Sequence, residues 1–102
     1  MPNAPTYSLD DIKALVSNPH TRMITQSSRK TAVEIGYLNE EEIADRIQKL
    51  TLSDFFKTMK SEKNPSLFQD VYKTMDESGV RIYIKLQISK AGDCIVVSFK
   101  RE

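Results

Sequence analysis

From Val80 to Ser89 the chain alternates apolar and polar side chains over ten positions without an error: Val80, Ile82, Ile84, Leu86 and Ile88 against Arg81, Tyr83, Lys85, Gln87 and Ser89. Successive side chains of a strand point to opposite faces, so this period of two dictates a strand with one buried and one wetted side. Cys94 to Lys100 reads as a second strand, with Ile95, Val97 and Phe99 expected on one side and Val96, Ser98 and Lys100 on the other. Lys90, Ala91, Gly92 and Asp93 form the hairpin between the two. Upstream, Leu67 to Met75 reads as a third strand, joined through Asp76, Glu77, Ser78 and Gly79. A sheet with one apolar face needs a cover.

That cover is expected from the first sixty residues. Ser8 stands as the cap of a helix carrying Leu9, Ile12, Leu15 and Val16 on one stripe, with Asp11 completing a capping box and Tyr7 stapling onto Ile12. Ser17, Asn18 and Pro19 stop it. Arg22 to Gln26 reads as a short edge strand, and Ser27 or Ser28 is placed to cap a two-turn helix ending at Gly36. Asn39, followed by Glu40, Glu41 and Glu42, caps the clearest helix, whose buried side is Ile43, Ile47 and Leu50. Thr51 and Asp54 resemble a second capping box opening a short helix through Phe55, Phe56, Lys57, Thr58, Met59 and Lys60, and Ser61 to Ser66 form a loop around Asn64-Pro65. The expected architecture is one α+β domain spanning residues 1–102, with N-terminal helices packed on a C-terminal antiparallel β-sheet in two layers.

Composition removes several function classes. With 15 Lys+Arg against 14 Asp+Glu the net charge is +1, which excludes a polybasic coat, an acidic tail and a charge-swollen disordered chain. A single cysteine, Cys94, makes no internal disulfide, and with a single histidine, His20, it makes no conventional zinc site. Apolar runs fall far short of the roughly 18 residues of a membrane span. A reduced, cytoplasmic protein with no membrane partner and no metal is expected.

The message must then lie in local charge. The wet face of the central strand carries Arg81, Tyr83 and Lys85, antiparallel pairing can bring Lys100 beside them, and Gln69 and Lys73 alternate onto a common face of the preceding strand. With Tyr83, Phe56 or Phe68 available for stacking, such a patch suits the phosphates and splayed bases of single-stranded RNA better than a duplex. Each residue also has an ordinary reading. Cations on wet strand faces protect edges, Tyr83 fits cross-strand packing, and Lys57 fits the wet side of a helix. The Glu40 to Glu42 run fits a helix N-terminus, Cys94 fits packing, and His20 beside Pro19 fits a loop more than a catalytic base. From the residues alone the reading stops at an anion-binding face.

The strings Ser53-Asp54-Phe55-Phe56-Lys57-Thr58-Met59, Gln69-Asp70-Val71-Tyr72, Ile82-Tyr83-Ile84-Lys85 and Ile95-Val96-Val97-Ser98-Phe99-Lys100 together resemble the MqsR family, the motility quorum-sensing regulator toxins of bacterial type II toxin-antitoxin systems. The resemblance covers the second half nearly continuously and is fainter before Leu50. It implies a RelE-like toxin fold and a metal-independent, cofactor-free endoribonuclease that cleaves mRNA at short GC-containing sites. It also implies neutralisation by a cognate MqsA-type antitoxin, and a free toxin that is monomeric. By the same resemblance the catalytic set falls on Lys57, Gln69, Tyr83 and Lys100; Phe56, Lys73, Arg81 and Lys85, read from the basic face itself, are expected to bind RNA. The chain departs from the pattern at Phe56 and Phe68, where a tyrosine and a tryptophan are expected; both keep an aromatic face and lose a hydrogen-bonding group. The competing expectation is a non-catalytic protein- or RNA-binding module using the same basic face.

Overall fold

The computed structural model describes residues 4–102. Its described elements are α1 (Leu9–Ser17), β1 (Arg22–Ile24), α2 (Gln26–Glu34), α3 (Glu40–Gln48), a single 3-10 turn (Leu52–Asp54), β2 (Phe55–Lys60), β3 (Phe68–Met75), β4 (Arg81–Ile88) and β5 (Cys94–Arg101). The caps explain the helix starts. Ser8 accepts from Asp11 N, Thr25 from Ser28 N and Asn39 from Glu42 N, each satisfying an orphan first-turn donor. The cap of α2 is therefore Thr25, two residues before Ser27 and three before Ser28. Ser28 is instead buried, its hydroxyl donating to Val96 O at 3.1 Å and holding α2 against β5.

The five strands lie in the order β1-β5-β4-β3-β2. β2 to β5 form the expected antiparallel meander, but β1 pairs parallel to β5 through Arg22↔Cys94, Met23↔Ile95 and Ile24↔Val96, so the sheet is mixed. The helices pack on one face only. Their stripes (Ile12, Val16, Ala32, Ile43 and Ile47) meet Tyr72, Ile82, Ile84, Leu86, Val96 and Phe99 in one continuous core. This is an α+β fold of two layers, and it leaves the other sheet face uncovered by any described helix.

Two expectations fail here. Phe55 to Lys60 is an edge strand, not a helix: Asp54 does accept from Thr51 N at 2.9 Å, but the turn it closes is spent within three residues. Phe55, Phe56 and Thr58 suit a pleated surface, and β3 supplies the ladder partners Tyr72, Val71, Asp70, Gln69 and Phe68. Lys57 and Phe56 therefore project from a strand. Ile95, Val97 and Phe99 also do not share the core face. The β4–β5 register slips from Lys85↔Ser98 to Leu86↔Val96, making Val97 the extra residue of a bulge, so Cys94, Val96 and Phe99 are the buried ones.

Asp70, fully buried, ties the start of the described chain to the sheet by accepting from Thr6 N at 3.0 Å and Tyr7 N at 2.9 Å. Buried Arg22 is held by Val16 O, Glu40 and Glu41, so two members of the acidic run pair with a cation, and Glu42 accepts from Leu38 N. No helix among the described residues is long and apolar enough to cross a membrane.

Candidate RNA-binding face

Strand register lays the uncovered face out in rows. Lys73↔Tyr83↔Lys100 form one row, Lys57↔Val71↔Lys85↔Ser98 the next, and Met59↔Gln69 continue through the opposed Gln87↔Ile95 as a third. Rows are two residues apart along each strand, about 7 Å, and neighbours within a row are about 5 Å apart. Arg81 lies one row beyond Tyr83, opposite Met75. The sequence-derived candidates Lys57, Gln69, Lys73, Arg81, Tyr83, Lys85 and Lys100 thus share one face.

The first two rows form a single cationic cluster built on rings. Tyr83 sits between Lys73 and Lys100, with Lys100 Nζ 5.2 Å and Lys85 Nζ 6.0 Å from its centroid. Phe56, 51% exposed, is the extra residue where the β2–β3 register shifts, and Lys73 Nζ lies 3.8 Å and Lys57 Nζ 5.7 Å from its ring. Ammonium groups gain from the negative faces of these rings, which offsets part of their mutual repulsion. Between Lys57 and Lys85 in its row, Val71 is fully buried although it lies outside the main core. One acid enters the cluster: Glu102 Oε2, 3.4 Å from Lys73 Nζ. A chain of net charge +1 has gathered five cations on one side of its sheet.

Partial burial pushes the Tyr83 phenol above its ordinary value of 10, so at neutral pH it is a proton donor and not a base. Its hydroxyl makes no hydrogen bond with a described residue and is not sealed from the surface. Gln69 stands apart. It is four residues from Lys73 on the same face, about 13 Å along the strand. It is 8% exposed, and its Nε2 donates to Gln87 Oε1 at 2.9 Å. Gln87 is not among the sequence-derived candidates; its parity with Tyr83 and Lys85 and its position opposite Gln69 are the signals that mark it.

The remaining candidates are elsewhere. Cys94 is fully buried in the core, where desolvation pushes its thiol from 9.0 to about 12, so it is no nucleophile at neutral pH. His20 is exposed in the turn between α1 and β1. Phe68, 39% exposed, pairs with Lys60 at the far end of β3. A cleft of about 550 Å³ opens on the helix side between α3 and the β3–β4 turn. Glu42, Asp45, Asp76 and Glu77 line it against Arg46 and Lys49, a balance that disfavours a polyanion. Among the described residues no three His, Cys, Asp or Glu side chains gather where they could hold a metal ion.

Fold and face together define a class: a small α+β domain with helices on one side of its sheet and an open, cationic, ring-bearing surface on the other, suited to a polyanionic strand. The comparisons with known proteins make this specific. Residues 4–101 match the family described as motility quorum-sensing regulator, toxin of MqsA. The chain is also 32% identical over 98 residues to the mRNA interferase toxin MqsR of Escherichia coli (strain K12), an alignment covering 96% of this chain and 95% of that protein. The chain belongs to the motility quorum-sensing regulator toxin family.

Proposed function

We propose that this chain is an mRNA interferase: a cytoplasmic, metal-independent endoribonuclease that holds single-stranded mRNA on its uncovered sheet face, cuts it at short GC-containing sites, and is neutralised by an MqsA-type antitoxin. The observation that carries the reading is the Lys73–Tyr83–Lys100 row with Lys57 and Lys85 beside it, a cationic cluster around a phenol that stays protonated. Family membership and the relative's name, mRNA interferase toxin, support it.

The chemistry asked of such a face is modest in parts and exacting in placement. The substrate's 2′-oxygen bonds to the adjacent phosphorus, its proton passing to water, while the bond from phosphorus to the 5′-oxygen breaks. The products are a 2′,3′-cyclic phosphate and a 5′-hydroxyl. Lys57, Lys85 and Lys100 neutralise the charge that crowds onto the phosphorane, in an arrangement set before the substrate arrives. Tyr83 gives its proton to the departing 5′-oxygen. Phe56 offers a stacking face, Lys73 and Arg81 hold flanking phosphates, and Gln69 contacts the nucleotide beyond the scissile one. Alignment of the 2′-oxygen opposite the leaving oxygen supplies the rest of the acceleration.

The test is incubation of the purified protein with single-stranded RNA in EDTA. Discrete fragments ending in cyclic phosphate are expected, and Lys100→Ala is expected to slow their formation by at least a hundredfold, the scale on which a single charge-stabilising donor is worth to a transition state. Intact RNA at high concentration of demonstrably folded protein refutes the nuclease reading and leaves a binding module.

A further inference from the structure

We infer that Gln69 and Gln87 act as one unit that reads a nucleobase, so that this pair sets the sequence preference of the face and takes no part in breaking the bond. The inference rests on the RNA-cleavage reading for the nature of the strand, and adds to it the place where base identity is sensed. The register Asp70↔Leu86 puts Gln69 directly opposite Gln87, and the 2.9 Å bond between them uses one amide donor and one carbonyl acceptor. Both residues are 8% exposed. Yet Gln69 Oε1 and Gln87 Nε2 have no partner among the described residues, and neither is shut off from the surface. Reversing both amides exchanges the two roles and leaves the same result: the pair as a unit keeps one unspent donor and one unspent acceptor.

The chemistry of that couple selects its ligand. A phosphate offers acceptors only, so one of the two open groups would face it with a repelling dipole; an ammonium offers donors only and fails at the other. The edge of a nucleobase carries a donor and an acceptor side by side in one plane and satisfies both. The flanks agree with a base. Met59 on one side of the row and Ile95 on the other are half-buried apolar side chains, and neither lysine row intrudes. Spacing agrees too: the pair lies about 7 Å from the Lys57–Val71–Lys85 row and about 13 Å from the row of Tyr83. A strand whose phosphates track the lysines can lay a neighbouring base on the carboxamides. That distance separates the pair from the 5′-oxygen that Tyr83 would protonate.

The discriminating variant is Gln87→Glu, which keeps the acceptor that Gln69 Nε2 uses and replaces the open donor by a second acceptor. Gln87→Met, similar in volume, removes both polar groups and guards against a result peculiar to the new charge. The probes are 2′-O-methyl RNA pentamers differing at one base, whose blocked 2′-oxygen prevents cleavage, read by fluorescence anisotropy. Wild-type protein is expected to rank the bases at one position. Gln87→Glu is expected to weaken or redirect that ranking by roughly five- to a hundredfold, and Gln87→Met to weaken it, the range one well-placed pair of base contacts commands. An unchanged ranking in both variants, or no ranking by the wild type, overturns the inference. Unmodified pentamers run in parallel report on cleavage separately: a ranking without cleavage keeps the base reader and sinks the nuclease, and cleavage with an unaltered ranking does the reverse.

Discussion

Removing one oxygen from Tyr83 separates chemistry from architecture. In Tyr83→Phe the ring stays under Lys100 and Lys85, whose ammonium nitrogens lie 5.2 and 6.0 Å from its centroid, so the cationic cluster keeps its seat. The hydroxyl bonds to no described residue, so its loss should change folding stability by less than about 0.5 kcal/mol. If the phenol delivers the proton to the 5′-oxygen, the single-turnover cleavage rate falls by about 10²- to 10⁴-fold, the usual worth of a placed general acid, or about 3–5 kcal/mol of barrier. Tyr83→Ala loses the ring as well, and two cation–ring contacts at about 0.5–1 kcal/mol each add roughly a further five- to thirtyfold, Lys85 contributing the smaller share because it is farther away. Because burial raises the phenol above its ordinary value, loss of wild-type activity from Tyr83 ionisation should set in at a higher pH than it would for a free tyrosine. The assay is single-turnover cleavage of a labelled RNA from pH 6 to 10, with a urea melt of each variant. A Tyr83→Phe protein that cleaves within threefold of wild type refutes the acid role outright, and Phe equal to Ala refutes the ring's part in seating the lysines.

Two further expectations concern the scaffold. Tyr72 is fully buried and its hydroxyl has no partner among the described residues, so Tyr72→Phe should raise stability by about 1–2 kcal/mol; a loss in a urea melt would show that the hydroxyl is satisfied. The same experiment has a pH arm. Burial raises Tyr72 from 10.0 to about 12 and Cys94 from 9.0 to about 12, so the folded state holds protons that the unfolded chain releases, and stability is full below pH 9 and falls from there to 12. Tyr72→Phe should flatten that decline, and an identical alkaline limb in both proteins would count against it. Asp70→Ala strips two charge-assisted bonds from Thr6 N and Tyr7 N and should cost about 2–4 kcal/mol by the same melt; a cost below about 0.5 kcal/mol would mean the N-terminal segment is not held there.

How much of the fold could be read beforehand depends on how far each signal extends. β4 alternates over its whole length, and its core and outer faces are as its letters indicate. β5 carries apolar residues on both parities, Ile95 and Val97 against Val96, and a period of two cannot locate a bulge when neither phase is polar; the bulge at Val97 comes from pairing with β4. β1 has three residues, too few for any period, and its parallel pairing to β5 is a tertiary fact. Phe55 to Lys60 carries a helix signal yet forms a strand because a capping box is a local device: it starts a turn and says nothing about what continues it. The ladder to β3 outbids the helix there, and the extra residue at Phe56 brings the ring over Lys73.

The site shows the same division between parity and register. Parity alone places Gln69 with Lys73, and Arg81 with Tyr83, Lys85 and Gln87, so a common face was legible without coordinates. Register decides the rows, and rows decide chemistry: Tyr83 meets Lys100 across a strand gap of about 5 Å, whereas Gln69 on the same face meets Gln87 and lies about 13 Å from the row of Tyr83. Sharing a face is therefore a weak criterion for a catalytic set, because eight-residue strands set residues of one parity as far as about 13 Å apart. The helices explain why this face is free to hold either. All three pack on the apolar side, so burial is completed there and the outer side needs only solvation, which lysines supply. A surface that the helices leave free can concentrate like charge, and in this chain that charge stands beside the carboxamide pair, where a phosphate on the one and a base on the other can belong to the same strand.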